Sequence, residues 1–152
     1  MPKRNAPVAI PARGPVDLLV TTMTYPGTAS NVSEARHWLR DILRNSPRAY
    51  DAELVAAEFM SNAIRHTPSG DDGGTFTITI QLGSDRARIE VLDLGGARCD
   101  GSLGYGLRAT GAPVASSAEG GRGLRMVTAL ADEYGHEVGD TRVHICWALL
   151  TW

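Results

Sequence analysis

Glu58, Asn62 and His66 stand four residues apart on a stretch otherwise rich in alanine and apolar side chains. On a helix, successive members of such a ladder lie one turn apart, rotated by about 40°, so the three share a face. A carboxylate and an amide placed together suit magnesium–nucleotide chemistry. Magnesium takes oxygen ligands and keeps several waters, so one amide carbonyl plus phosphate oxygens makes a workable shell. A carboxylate beside it can take a proton from an attacking hydroxyl. In isolation, Glu-x-x-x-Asn is more often just the solvated face of an amphipathic helix.

Two further clusters lie downstream. The apolar run Ile89-Glu90-Val91-Leu92 leads into Asp93-Leu94-Gly95-Gly96. An aspartate at a strand end can accept a hydrogen bond from an amino group on a flat ligand, and glycines let that ligand approach the backbone. Alone, it is an ordinary turn aspartate. Gly120-Gly121-Arg122-Gly123 then opens a helix that continues through Leu124. Exposed N–H groups and the helix dipole favour an anion there, although the same glycines would also serve as a hinge. No Lys-Ser/Thr follows, so this is not a P-loop. No G-x-G-x-x-G enters a helix after a strand, so a dinucleotide fold is unsupported.

The elements that must position these residues follow from pattern and punctuation. Pro2, Pro7, Pro11 and Gly14 make residues 1–14 a flexible arm, leaving 15–152 as the folded domain. Residues 16–25 are rich in Val and Thr and stop at Pro26-Gly27, a strand and its turn. Asn31 precedes Glu34 as in a capping box. Ala35, Trp38, Leu39, Ile42 and Leu43 then recur at helical spacing, giving a helix over about 31–44. Ser46-Pro47 starts a second helix that runs to about His66 and breaks at Pro68. Residues 75–82 and 87–94 alternate polar and apolar around Gly83-Ser84-Asp85, a hairpin. From 95 to 120 there is no period, and so long a stretch inside a small domain is usually a lid or binding loop. Leu124, Val127, Leu130 and Ala131 mark a third helix stopping at Gly135, and 141–150 is a closing strand. The expected fold is an α/β (α+β) two-layer sandwich, with helices on one face of a mixed, mostly antiparallel sheet.

Composition narrows the function classes. With 152 residues and a hydrophobic fraction of 43%, the chain can bury a core without disulfides or metals. A net charge of −2 argues against direct nucleic-acid binding by bulk attraction. The longest wholly apolar run, at 145–150, is too short for a membrane span, and no sustained apolar stretch marks the N-terminus as a secretory signal. Cys99 and Cys146 lack CxxC spacing, so a reducing cytoplasm is expected. His37, His66, His136 and His144 are scattered without zinc-ligand spacing, and Trp38, Trp147 and Trp152 are expected in a core or interface.

Taken in order, Glu58-x-x-x-Asn62-Ala63-x-x-His66, Asp93-x-Gly95, a glycine-rich loop and Gly121-Arg122-Gly123-Leu124 resemble the N, G1 and G2 boxes of the GHKL ATPases. That superfamily includes histidine kinases, gyrase-type topoisomerases and anti-sigma factor kinases. The resemblance covers the chain from about Val16 onward. Small size, the Asn-Ala-x-x-His ending and the Thr-rich strand before Tyr25-Pro26-Gly27 make it most similar to the anti-sigma factor serine/threonine kinase branch.

The resemblance implies a Bergerat-type ATP-binding fold with ATP and Mg²⁺ as cofactors. It implies that Glu58 is the base, Asn62 the Mg²⁺ ligand and Asp93 the adenine-amino acceptor, with Gly95 beside the ring. Gly121 and Gly123 would place N–H groups at the phosphates, and His66, Arg122 and Leu124 belong to the same nucleotide-binding boxes. Residues 97–119 would form the ATP lid, with 98–117 ordering when ATP and Mg²⁺ bind. The implied activity is γ-phosphoryl transfer to a Ser or Thr of a STAS-type anti-anti-sigma protein, with sequestration of a sigma factor and a homodimeric state. Two other readings stay open: an ATP-binding regulatory module without kinase activity, and a glycine-rich scaffold that binds no nucleotide. Retention of both Glu58 and Asn62 favours the kinase, because a pure binder needs no base. The long loop argues against the scaffold.

Overall fold

The computed structural model describes residues 18–95, 120–139 and 143–152. The expected arm at 1–14, the lid at 97–119 and Cys99 lie outside the described residues. Among the described residues, five strands and three α-helices follow the order β1 (Leu19–Pro26), α1 (Ala29–Leu43), α2 (Ala49–His66), β2 (Thr75–Leu82), β3 (Arg86–Asp93), α3 (Gly120–Leu130), β4 (Glu133–Val138) and β5 (His144–Thr151). The sheet order is β1-β2-β3-β5-β4. Every pairing is antiparallel, so the sheet carries no parallel pair among the described residues.

Alternation along the strands sets the layers, because successive side chains point to opposite faces. Phe76, Ile78 and Ile80 of β2, Ala87, Ile89 and Val91 of β3, and Cys146, Ala148 and Leu150 of β5 are buried on one face. They form one core with Val32, Ala35, Leu39 and Leu43 of α1 and with Val55, Phe59 and Met60 of α2. Trp38 and Trp152 pack partly buried against it. On the opposite face, hydroxyl pairs join β1 to β2, Thr22 to Thr79 at 3.0 Å and Thr24 to Thr77 at 2.8 Å. There the Arg88 guanidinium lies 4.1 Å over the Trp147 ring.

Polar contacts lock the helices relative to one another. Arg36 and Arg40 of α1 both donate to Glu53 of α2, a carboxylate only 5% exposed. These hydrogen bonds, Arg40's first, hold Glu53 below the usual carboxylate range against its burial. Arg48, just before α2, donates to Asp51, to Asp132, to the Thr151 carbonyl and to the Leu130 carbonyl at the end of α3. One side chain thereby fixes the C-terminus of α3 against α2 and β5.

Several boundaries differ from the sequence reading. Helix α1 begins at Ala29 and is capped by Thr28, whose Oγ1 accepts the Asn31 N–H at 3.3 Å; Asn31 is not the cap. Helix α2 begins at Ala49, because Ser46 to Arg48 form a turn in which the Ala49 N–H donates to the Ser46 carbonyl at 3.2 Å. Helix α3 takes in Gly120 and stops at Leu130, short of Gly135. Gly135 instead belongs to β4, where the Trp147 indole lies across it so closely that a β-carbon would not fit. The polar composition of this edge strand hid it from pattern reading.

Candidate functional site

Helix α2 runs under the sheet with Glu58 and Asn62 on the side that meets α3. With Phe59 of the same helix, Leu124 and Val127 of α3 and Cys146 of β5, they line one cavity. Asn62 is nearly buried at 9% exposure, and its Nδ2 donates to Glu58 Oε1 at 3.0 Å. The amide therefore presents its carbonyl outward. Arg65 occupies that carbonyl: its Nη2 donates to Asn62 Oδ1 at 3.1 Å and stands 3.9 Å from Glu58 Oε1. Arg65 is three residues past Asn62, so its place on this face was legible in helical spacing.

The start of α3 meets the same carboxylate. A β-carbon at Gly123 would fall on Glu58, so glycine is what admits the contact. Leu124 lines the cavity, while Arg122 is exposed on the other side of the helix. Gly120 and Gly121 form the first turn of α3 instead of preceding it. His66, the last residue of α2, is half-buried and is not among the cavity's lining residues. The Glu58–Asn62 pair and the Gly123–Leu124 turn thus converge, whereas His66 and Arg122 do not line that cavity.

The end of β3 is placed by the loop that follows α2. Thr67 Oγ1 donates to the Ala63 carbonyl at 2.6 Å and accepts the Ser69 N–H at 3.1 Å. Ser69 Oγ, fully buried, then accepts the Leu94 N–H at 2.9 Å. Asp93 and Gly95 are thereby anchored to the helix that carries Glu58 and Asn62. Gly95 has a left-handed backbone (φ 75°), and its N–H donates to Asp93 Oδ1 at 2.6 Å. Asp93 is 1% exposed, and its Oδ2 is buried with no hydrogen-bond partner. A buried acceptor left unpaired costs about 1–3 kcal/mol, so this oxygen is suited to a ligand donor such as an exocyclic amino group.

The sheet register brings histidines to this aspartate. Asp93 lies opposite His144 in the β3–β5 ladder, with His144 Nδ1 3.6 Å from Asp93 Oδ1. His136 of β4 meets the His144 ring edge-on at 5.0 Å. Burial pushes the Asp93 carboxyl up to about 7, against the pull of the Gly95 and His144 backbone N–H groups. Burial, then the neighbouring His144, brings His136 down to about 4, and burial lowers His144. Burial, then Asp93, raises the Cys146 thiol well above its ordinary value, so it is not a nucleophile at neutral pH. The pairing of His136 with His144 was invisible in the sequence because it depends on β4. No group of three or more His, Cys, Asp or Glu among the described residues could hold a metal ion.

The fold is a one-faced antiparallel sandwich, with a carboxylate–amide pair on one helix, a glycine contact at the next and an orphaned aspartate at a strand end. The chain belongs to the histidine kinase-like ATPase domain family, whose model matches residues 25–147. Among solved structures it is similar to the RsbU and RsbW domains of Rv1364c from Mycobacterium tuberculosis, with 19% identity and a TM-score of 0.61. That match covers 88% of this chain and 32% of the Mycobacterium chain, so this chain spans about a third of its length. It is also similar to the SiaB–SiaC complex from Pseudomonas aeruginosa, with 20% identity and a TM-score of 0.62, covering 86% of this chain and 88% of that one. No curated protein matches the chain. No helix among the described residues is long and apolar enough to cross a membrane.

Proposed function

We propose that this domain is a Mg²⁺-ATP-dependent protein serine/threonine kinase of the anti-sigma factor type. It transfers the γ-phosphoryl of ATP to a Ser or Thr of a STAS-type anti-anti-sigma partner in the cytoplasm and, as a homodimer, sequesters a sigma factor. The observation that carries this reading is the convergence of Glu58 and Asn62 with the first turn of α3 around one cavity. The orphaned Asp93 Oδ2 supports an adenine end. The likeness to an RsbW domain and to a SiaB–SiaC complex supports a protein partner.

Each residue has a distinct task. Asp93 Oδ2 accepts the adenine amino group, and Gly95 keeps the backbone clear of the ring. Gly121 and Gly123 offer N–H groups to the phosphates at the start of α3, with Arg122 and Leu124 completing that turn and His66 closing the end of α2. Asn62 Oδ1 would hold Mg²⁺, which when bound neutralises charge on the phosphates. Glu58 takes the proton of the attacking hydroxyl. Phosphoryl transfer depends on positioning and charge neutralisation, so this set suffices without a covalent intermediate.

One observation favours a second reading, an ATP-binding regulatory module without transfer: Arg65 sits on the carbonyl that Mg²⁺ would need. The kinase reading requires that guanidinium to leave when the metal binds. A thermal-shift titration with ATP and Mg²⁺, followed by radiolabel transfer from γ-labelled ATP onto STAS proteins of the same genome, separates the two. Transfer supports the kinase. Tight ATP binding with no labelled STAS protein supports the module.

A further inference from the structure

Building on the adenine site proposed above, we propose that His144 is the positioning residue of the base-binding carboxylate. Its imidazole engages Asp93 Oδ1 and keeps Asp93 in the form whose Oδ2 accepts an exocyclic amino group. The two residues lie directly opposite in the β3–β5 ladder and are 1% and 2% exposed. Residues opposite one another in an antiparallel pair share a face, so the imidazole and the carboxyl are held together by register. At 3.6 Å, Nδ1 and Oδ1 are beyond hydrogen-bond distance but a short movement from it, and burial, which lowers His144, makes the neutral Nδ1–H the form that would donate.

The two carboxyl oxygens are not equivalent. Oδ1 takes the Gly95 N–H and faces the imidazole, whereas Oδ2 has no partner. An Nδ1–H directed at Oδ1 stabilises the carboxylate while leaving Oδ2 as the acceptor. Once protonated, the same group would offer a donor and suit a base carbonyl instead. The form Asp93 takes therefore decides which base edge the site reads.

The groups around Asp93 leave this task to His144. From β5 come His144 and Cys146, and the raised thiol remains neutral. From β4 comes His136, brought down to about 4 and so neutral at pH 7. Glu58 of α2 lines the cavity with Cys146, and Asp93 is not among that cavity's lining residues. Phe76 and Ile78 of β2 carry no charge. The Asp93 carboxyl, pushed up to about 7, changes form within the physiological range, where a modest bias from one neighbour has a large effect.

The test titrates the Asp93 carboxyl in the ligand-free protein by isotope-edited infrared spectroscopy, using Asp93→Asn to assign the band. The wild-type midpoint is expected near 7. Asparagine places its amide nitrogen where Nδ1 stands, so His144→Asn should keep the midpoint. His144→Leu and His144→Gln, which lack a donor there, should raise it by about one unit. ATP affinity at pH 7 should then fall about fivefold in the latter two and recover at pH 9, following the ionised fraction. Circular dichroism identifies the folded variants, and agreement between Asn and wild type against Gln carries the test if the leucine variant fails to fold. An unmoved midpoint in folded His144→Gln or His144→Leu overturns the proposal. A midpoint that moves as expected, in a protein that binds ATP at no pH, supports the coupling of the two residues and overturns the nucleotide reading.

Discussion

The Glu58 carboxylate occupies the space in which a β-carbon at position 123 would stand, so glycine at 123 lets that carboxylate lie against the first turn of α3. The proposed base is thus placed by a close approach between two helices that are distant in sequence. Arg48 secures the other end of α3. The proposed phosphate end therefore depends on how α3 is seated.

Gly123→Ala should therefore damage the site through Glu58. Alanine gains up to about 1 kcal/mol of helix propensity but forces the Glu58 carboxylate aside, so Gly123→Ala should be more favourable in a Glu58→Ala background than in wild type, because that background removes the group the new methyl meets. The coupling energy in a urea-denaturation double-mutant cycle should be about 0.5–3 kcal/mol. Strict additivity would mean that the contact carries no energy.

Glu58 and Asn62 share a face but should fail differently. Glu58→Gln keeps the size and the Asn62 contact, so ATP affinity should be retained while single-turnover transfer falls about 10²–10⁴-fold. Asn62→Ala should remove the Mg²⁺ dependence of ATP binding together with transfer. Nucleotide affinity with and without Mg²⁺, and transfer to one STAS partner, read both variants.

Asp93 should make the ligand-free protein less stable at alkaline pH. Its folded carboxyl stands at about 7 against an ordinary 3.8, so the folded state holds a proton that the unfolded chain has already released. The resulting stability is fully present below about pH 4 and is lost as pH rises through 7. Asp93→Asn removes that loss and should be more stable than wild type at pH 8, by roughly 1–4 kcal/mol, with little difference at pH 4. His136 works in the opposite sense, with a folded value of about 4 against 6.5. Its contribution is present above pH 6.5 and is lost as pH falls towards 4 in both proteins. Chemical denaturation across pH 4–9 checks both slopes.

Arg48→Ala should cost about 1–3 kcal/mol, since it strips partners from Asp132 and from the carbonyl that ends α3. Hydrogen exchange should rise in α3 more than in the β2–β3 hairpin. Equal exchange in both would show that α3 is seated by packing alone.

The sequence exposed those features that depend on local period or punctuation. The apolar stripe of α2, the hairpin of β2 and β3, and the glycines at α3 were visible as such, and so was the Glu58–Asn62 spacing. What depends on register was not. His144 faces Asp93 only through the β3–β5 ladder, and His136 joins them only through β4, whose glycine and charges read as a helix stop. The caps shifted because Thr28, the first hydroxyl after the Pro26-Gly27 turn, reaches the helix before Asn31 can.

Calorimetric titration of Mg²⁺-ATP and Mg²⁺-GTP into wild type and Asp93→Ala tests the nucleotide site most directly. At pH 9, where Asp93 is ionised, wild type should bind ATP, with GTP much weaker because its base presents a carbonyl where adenine carries the amino group. Asp93→Ala should lose about 1.5–3 kcal/mol of ATP binding, roughly a 10- to 150-fold fall in affinity. Equal ATP affinity in the two proteins, or GTP binding as tight as ATP, would contradict the assignment of Asp93 and with it the proposed site.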